Sequence, residues 1–215
     1  MQTPHSIAVL YLTLLLVGCS STPKLMPTPN IYADGGSYPE SSVLPGLKSN
    51  QVDLLYVTDR APEMTADGKL EYGSGRSASV GFGSAIVEIG NDLSWQELLA
   101  ITEASPRTTS PKIQVTSRTE LGRFPSTPHP FLVVNGKARE NPRVQAEYKQ
   151  MASVFRKEIN RRMAQTGSNE VHIFIHGYNN SFDWAAASLA EIWHFLGRQG
   201  TPLLYSWPAA HGGLF

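Results

Sequence analysis

Stretches of apolar residues broken by polar and glycine-rich segments predict a mixed α/β domain from Val52 onward. Runs rich in β-branched and aromatic residues are typical of strands, and they cover 52–58, 79–89, 113–117 and 131–134. The segment from Glu63 to Gly75 contains an Asp-Gly pair and two more glycines, so it predicts a loop.

Helical spacing of apolar residues predicts two helices before residue 170. Ser94 and Glu97 form a capping-box pattern at the start of the first, which extends from Trp95 to Ala104. Asn141-Pro142 opens the second, which ends at Gly167. Its apolar stripe contains Tyr148, Met151, Ala152, Phe155, Ile159 and Met163. Its basic residues lie mostly off the stripe, which is typical of a solvated face; contact with anionic lipid is the alternative.

The C-terminal part of the chain follows a strand–helix–strand pattern. Val171 to Ile175 is an apolar strand, 181–196 is a helix, and Leu203 to Ser206 is a second strand. The helix is expected to bury Phe182, Ala185, Ala186, Leu189, Ile192, Trp193 and Leu196, and Gly197 is expected to end it. This βαβ unit predicts parallel pairing in a mixed sheet.

The N-terminus predicts a lipoprotein signal peptide over residues 1–18. Ile7 to Val17 is an apolar run of eleven residues, shorter than a bilayer span but suited to a signal-peptide core. Leu16-Val17-Gly18-Cys19 resembles a bacterial lipobox, so we expect Cys19 to be lipidated and to become the mature N-terminus. The alternative is a free thiol. Cys19 is the only cysteine, which excludes a disulfide within the chain.

Residues 19–50 predict a flexible tether between the membrane and a domain at 51–215. The segment is rich in Ser, Pro, Thr and Gly, with prolines at 23, 27, 29, 39 and 45. Several acyl chains on Cys19 would anchor it stably. Ser20 after the cysteine favours, by resemblance to enterobacterial sorting, the outer membrane facing the periplasm. The formal net charge of 0 gives no reason to expect nucleic acid as a partner.

His176-Gly177-Tyr178 lies where the apolar strand meets the following helix. Ligands of α/β sheets bind beyond the carboxyl ends of strands, where backbone N–H groups and the helix dipole favour negative charge. We therefore interpret His176, Gly177 and Tyr178 as an oxyanion loop, with the Tyr178 amide as one donor. The alternative is a tight strand-to-helix turn without a ligand.

The same residues carry a family resemblance. VHIFIHGYNNSF at 171–182 and LLYSWP at 203–208 resemble a bacterial α/β-hydrolase family, domain-of-unknown-function family 900 of the esterase/lipase superfamily. LYVTDR at 55–60 and YGSGR at 72–76 also resemble its N-terminal segment. The resemblance covers roughly Val52 to Phe215. It implies the N-terminal portion of an α/β-hydrolase fold, incomplete because the strand and elbow bearing the nucleophile would follow.

No catalytic nucleophile is identifiable. The sequence contains no G-x-S-x-G elbow. Ser181 is better explained as a helix cap, and Ser206 lacks the elbow glycines. His172 and His176 stand ~13 Å apart on a strand, too far to share an ion. His194 is expected to be structural and His129 to lie in a loop, whereas His211, in a terminal loop, could serve as a base only with an identifiable nucleophile. We expect no metal and no cofactor.

Three hypotheses about function follow. The first is a membrane-anchored serine hydrolase, esterase- or lipase-like by lineage, whose full-length form would act on a small ester and whose 215-residue chain is inactive alone. The second is a non-catalytic envelope lipoprotein that acts as a binding module. The third is a truncation without a stable fold. Under the first hypothesis, Val171 to Ile175 is expected to be a central strand of the complete fold whose edge is exposed in the 215-residue chain, so that this form aggregates or needs a partner.

Overall fold

The structure, a computed structural model, describes residues 22–209. The predicted signal peptide, Cys19 and His211 lie outside these residues. Among the described residues, no helix is both long enough and apolar enough to cross a membrane.

A five-stranded mixed sheet forms the centre of the fold. The chain contributes β1 (Gln51–Met64), β2 (Leu70–Ile89), β3 (Ile113–Arg123), β4 (Phe131–Val134), β5 (Lys137–Glu140), β6 (Val171–Ile175) and β7 (Thr201–Ser206). The main sheet has the order β3-β2-β1-β7-β6, and β4 and β5 form a separate hairpin. β1, β2 and β3 pair antiparallel, whereas β7 lies parallel to both β1 and β6. The predicted α/β class and parallel C-terminal unit are therefore confirmed.

Three of the four α-helices in the described residues begin at a side-chain cap that the sequence indicates. The four are α1 (Asn30–Ala33), α2 (Trp95–Glu103), α3 (Pro142–Thr166) and α4 (Phe182–Phe195). Ser94 and Glu97 form the expected capping box on α2, and the Asn141 side chain accepts from the N–H of Arg143 on α3. Gly167 ends α3 in the left-handed conformation, with φ of 66°. The three predicted helices are confirmed.

The two faces of the sheet carry different helices, because side chains alternate along each strand. Val52, Leu54 and Tyr56 face α2 and α4 in the main hydrophobic core. On the other face, Arg162 of α3 donates to Asp53. Phe155 of α3 packs on Phe82, with ring centroids 5.1 Å apart. The apolar stripe of α3 is only partly buried, and Leu196, expected inside, is 57% exposed.

Residues 22–50 are part of the fold, which corrects the prediction of a flexible tether in this range. Leu25, Tyr32, Tyr38 and Val43 are buried in the main core. The Tyr32 hydroxyl donates to Phe195 O at 2.6 Å and the Tyr38 hydroxyl to His194 O at 2.9 Å. The proline-rich segment thus packs around the C-terminal end of α4 although it forms little regular structure.

The segment from Glu63 to Gly75, predicted as a loop, is mostly strand. β1 and β2 extend as a hairpin whose turn occupies residues 65–69, and Gly68 adopts a φ of 78° there. Shifts of register between Thr58 and Pro62 bend this hairpin. In the sequence, only the Asp67-Gly68 pair indicates where the turn lies.

The strand β6 lies at one edge of the sheet in the described part of the chain. Ile173 and Ile175 are each 63% exposed there. The expected open edge is therefore confirmed, whereas pairing with a further strand stays a prediction.

Candidate functional site

The candidate site lies at the carboxyl ends of the two parallel strands β6 and β7. β6 ends at Ile175 and β7 at Ser206, so His176 and Trp207 meet at the same edge of the sheet. The His176 and Trp207 rings stack with centroids 5.3 Å apart and planes at 7°. The Trp207 indole N–H also donates to His176 O at 2.9 Å. Trp207 therefore fixes both the side chain and the backbone at the start of the loop.

The hydrogen bonds of His176 define one neutral tautomer. Its Nδ1 lies 2.9 Å from Gly177 O, and its Nε2 lies 3.2 Å from the backbone N of Trp207. A carbonyl can only accept and an amide N–H can only donate, so the proton is on Nδ1 and Nε2 accepts. Burial lowers the pKa of His176, and the nearby charge of Arg60 lowers it further. His176 is thus a neutral, buried side chain that joins the start of the loop to Trp207. Its Nε2 already accepts a hydrogen bond and is not free to act as a base.

Arg60 joins four parts of the chain beneath the loop. Its side chain is buried, with 1% exposed. Nε donates to Ser206 Oγ at 2.9 Å, Nη1 to Gly73 O at 2.7 Å and Nη2 to Asn180 O at 2.7 Å. Burial lowers the pKa of the guanidinium. The oxygens that receive these bonds are uncharged, and the charges of Asp59 and Asp183 nearby partly offset that of the guanidinium.

The loop itself is open to solvent above this support. Gly177 is exposed, and a Cβ built on it would meet nothing within 4 Å. Tyr178 is 58% exposed, and Asn179 adopts a φ of 63°. Ser181 then caps α4 by accepting from the N–H of Trp184. Gly177, Tyr178 and Asn179 are therefore exposed residues beside the positive end of a helix of fourteen residues.

The two serines considered as nucleophiles have structural roles. Ser181 is the N-cap of α4, as expected. Ser206 is completely buried and accepts from Arg60, and its Oγ lies 3.3 Å from His176 Nε2. A Ser–His pair is therefore present, but a substrate carbonyl has no access to a hydroxyl with no exposed surface. The sequence did not predict that Arg60 and Ser206 lie beneath the 176–180 loop. The only signal for Arg60 was its place in LYVTDR at 55–60, which is part of the family resemblance.

The other histidines among residues 22–209 do not form a second site. His194 is buried, with its Nε2 2.8 Å from Thr102 Oγ1 and its Nδ1 accepting from Arg198 at 3.3 Å. His172 is partly exposed near Glu170, and the ring of His129 lies 6.2 Å from that of Tyr148. Among residues 22–209, no group of three His, Cys, Asp or Glu side chains could hold a metal ion.

Comparison with known proteins supports the family resemblance over the C-terminal part. Residues 151–214 match the sequence model of a family described as "Alpha/beta hydrolase of unknown function (DUF900)". The match includes β6, α4, β7, the 176–180 loop and Trp207, but not Arg60. No curated protein and no solved structure matches the chain. The resemblance is therefore confirmed for this segment, and the description assigns no reaction to it.

Proposed function

We propose that this protein is a membrane-anchored member of the hydrolase lineage in which residues 176–180 stabilise an oxyanion during acyl transfer from a small ester. The observation that carries the proposal is the exposed 177–179 segment, held between the His176–Trp207 stack and the N-terminus of α4. Such an arrangement places an exposed loop at the N-terminus of a helix, where main-chain N–H groups stabilise negative charge.

Each residue of the site would have a separate role in this reaction. A backbone N–H near Tyr178 would donate to the developing oxyanion, and Arg60 would contribute positive potential from below. His176 would position the loop without exchanging a proton. The attacking serine would have to come from outside residues 22–209, because the two serines near this site are a helix cap and a buried hydroxyl. We therefore expect the 215-residue chain alone to be inactive.

An esterase assay tests the expected inactivity. The purified chain is incubated with short acyl esters, with and without a fluorophosphonate. We expect no hydrolysis above that of buffer and no labelled serine. Hydrolysis abolished by labelling of a single serine would show that a nucleophile is present in this chain.

The oxyanion loop can be tested without turnover. Butyrate, whose carboxylate imitates the charge of the oxyanion, is titrated while backbone amide resonances are followed by NMR. We expect residues 177–180 to shift in the wild type and in Tyr178→Ala, which keeps the N–H. Tyr178→Pro removes that donor, so the shifts of its neighbours should be lost. Equal shifts in both variants would refute the role of this amide.

Membrane attachment through Cys19 is the second part of the proposal. It is supported by the lipobox-like sequence at 16–19, and Ser20 favours the outer membrane facing the periplasm. Intact-mass analysis after expression in a Gram-negative host should show loss of residues 1–18 and acylation of Cys19. Cys19→Ala should remain unprocessed and unacylated. An unmodified thiol in the wild type would contradict the proposal.

A second candidate function is a binding module that uses the open edge of β6. An edge strand with exposed Ile173 and Ile175 offers unpaired backbone groups and apolar side chains to another strand. We expect analytical ultracentrifugation of the unlipidated chain to show self-association, and Ile173→Lys to reduce it. Met64→Lys, a change at another exposed apolar side chain, is the matched control. A monomeric wild type would argue against pairing through this edge and would favour a self-contained binding domain.

A further inference from the structure

The β4–β5 hairpin exposes four consecutive apolar side chains. Phe131 and Val133 are 64% and 69% exposed, and Leu132 and Val134 are 43% and 48% exposed. Two of these side chains lie on each face of the two-stranded hairpin, where they contribute little to folding, and exposed apolar surface commonly marks an interaction site.

Basic side chains accompany the apolar ones on the same hairpin. Leu132 pairs with Arg139 and Val134 with Lys137, and directly paired residues share a face. One face of the hairpin therefore alternates apolar and cationic side chains. The Asn135-Gly136 turn, with φ values of 52° and 71°, makes the tip tight.

Positive charge continues from the hairpin into α3. Residues 131–157 contain six basic and two acidic side chains, so this segment has a formal net charge of +4 in a chain whose total is 0. Arg143 remains highly exposed although it pairs with Glu147. The apolar tip is thus attached to the basic part of an otherwise balanced molecule.

We propose that the β4–β5 hairpin is a peripheral membrane-binding element for an anionic bilayer. Leu132 and Val134 would enter the interface between headgroups and acyl chains, while Lys137 and Arg139 on the same face would bind anionic headgroups. Apolar insertion combined with several cations is the chemistry that such a surface selects. The proposal does not depend on the oxyanion loop or on acylation of Cys19, because the hairpin residues alone carry it.

A fluorescent label at the tip gives a local test. In the chain from residue 19 onward with Cys19→Ser, Val134→Cys is labelled with an environment-sensitive dye, and vesicles of phosphatidylcholine with about one third phosphatidylglycerol are added. We expect a blue shift and a rise in intensity. Asp67→Cys, at the tip of the β1–β2 hairpin, is the matched control and should not respond. The label reports its own surroundings, so binding through other parts of the chain does not imitate the result.

Charge removal tests the role of the cations. In the same labelled protein, Lys137→Gln with Arg139→Gln should weaken partitioning about thirtyfold. Lys69→Gln should leave it unchanged, and vesicles of phosphatidylcholine alone should give little response. A label at Val134 that stays in water with anionic vesicles, or equal responses from both label sites, would overturn the proposal.

Discussion

Leu25 provides the sharpest test of whether residues 22–50 belong to the folded domain. Its side chain is 1% exposed, and its backbone N–H donates to Pro111 O at 2.8 Å. Truncation of a buried leucine to alanine costs about 2–5 kcal/mol, because transfer energy is lost and a cavity remains. We therefore expect Leu25→Ala to destabilise the whole domain by about 3 kcal/mol.

Calorimetry or urea denaturation of the full-length chain measures this loss. For a domain of this size, about 3 kcal/mol corresponds to a fall in Tm of about 6–12 °C. Ile31→Ala is the matched control, because Ile31 lies in the same segment but is 69% exposed. Its effect should stay within about 0.5 kcal/mol. If both variants had the same Tm and free energy of unfolding as the wild type, residues 22–50 would be a tether.

Three further predictions concern other parts of the fold. Ser94→Ala removes the cap of α2 and should lower the free energy of unfolding by about 1 kcal/mol in urea denaturation, with Gln96→Ala as the exposed control. Burial and the charge of Arg198 lower the pKa of His194 to about 3, so the unfolded chain takes up a proton below its ordinary pKa of 6.5 while the native state does not. Stability should therefore fall by about 1.4 kcal/mol per pH unit below that value, and His194→Gln should show a smaller slope between neutral and mildly acidic pH. Arg60→Met leaves Gly73 O and Asn180 O without their donor and should cost about 2 kcal/mol or more while shifting the NMR signals of 176–180; unchanged loop signals would contradict its positioning role.

The elements that sequence predicted well are those specified by neighbouring residues. The capping box at Ser94, the Asn141-Pro142 start of α3 and the apolar periodicity of α4 are local signals, and each element forms where they place it. The βαβ arrangement then follows from chain connectivity. The His176 loop was predictable for the same reason, because it lies between two such elements.

Contacts distant in sequence account for what was missed. Tyr38 and His194 are 156 residues apart, and the four buried apolar residues of 22–50 are spaced without a helical or strand period. Composition alone therefore suggested a tether. Arg60 likewise reaches Asn180 across 120 residues. A charged residue after the apolar run at 52–58 gave no local indication that its side chain would be buried.

The chain joins the folded domain close to its N-terminus, and this limits the distance between the domain and a lipid on Cys19. Pro23 O already accepts from the N–H of Ile113 at 2.8 Å. A lipid on Cys19 would thus be separated from the folded body by four residues, at most about 14 Å of extended chain, instead of the roughly 110 Å available to a free segment ending at Asn50. The folded domain would then stay close to the bilayer surface. Any ester that it binds would have to be a lipid of that leaflet or a solute that diffuses to the surface.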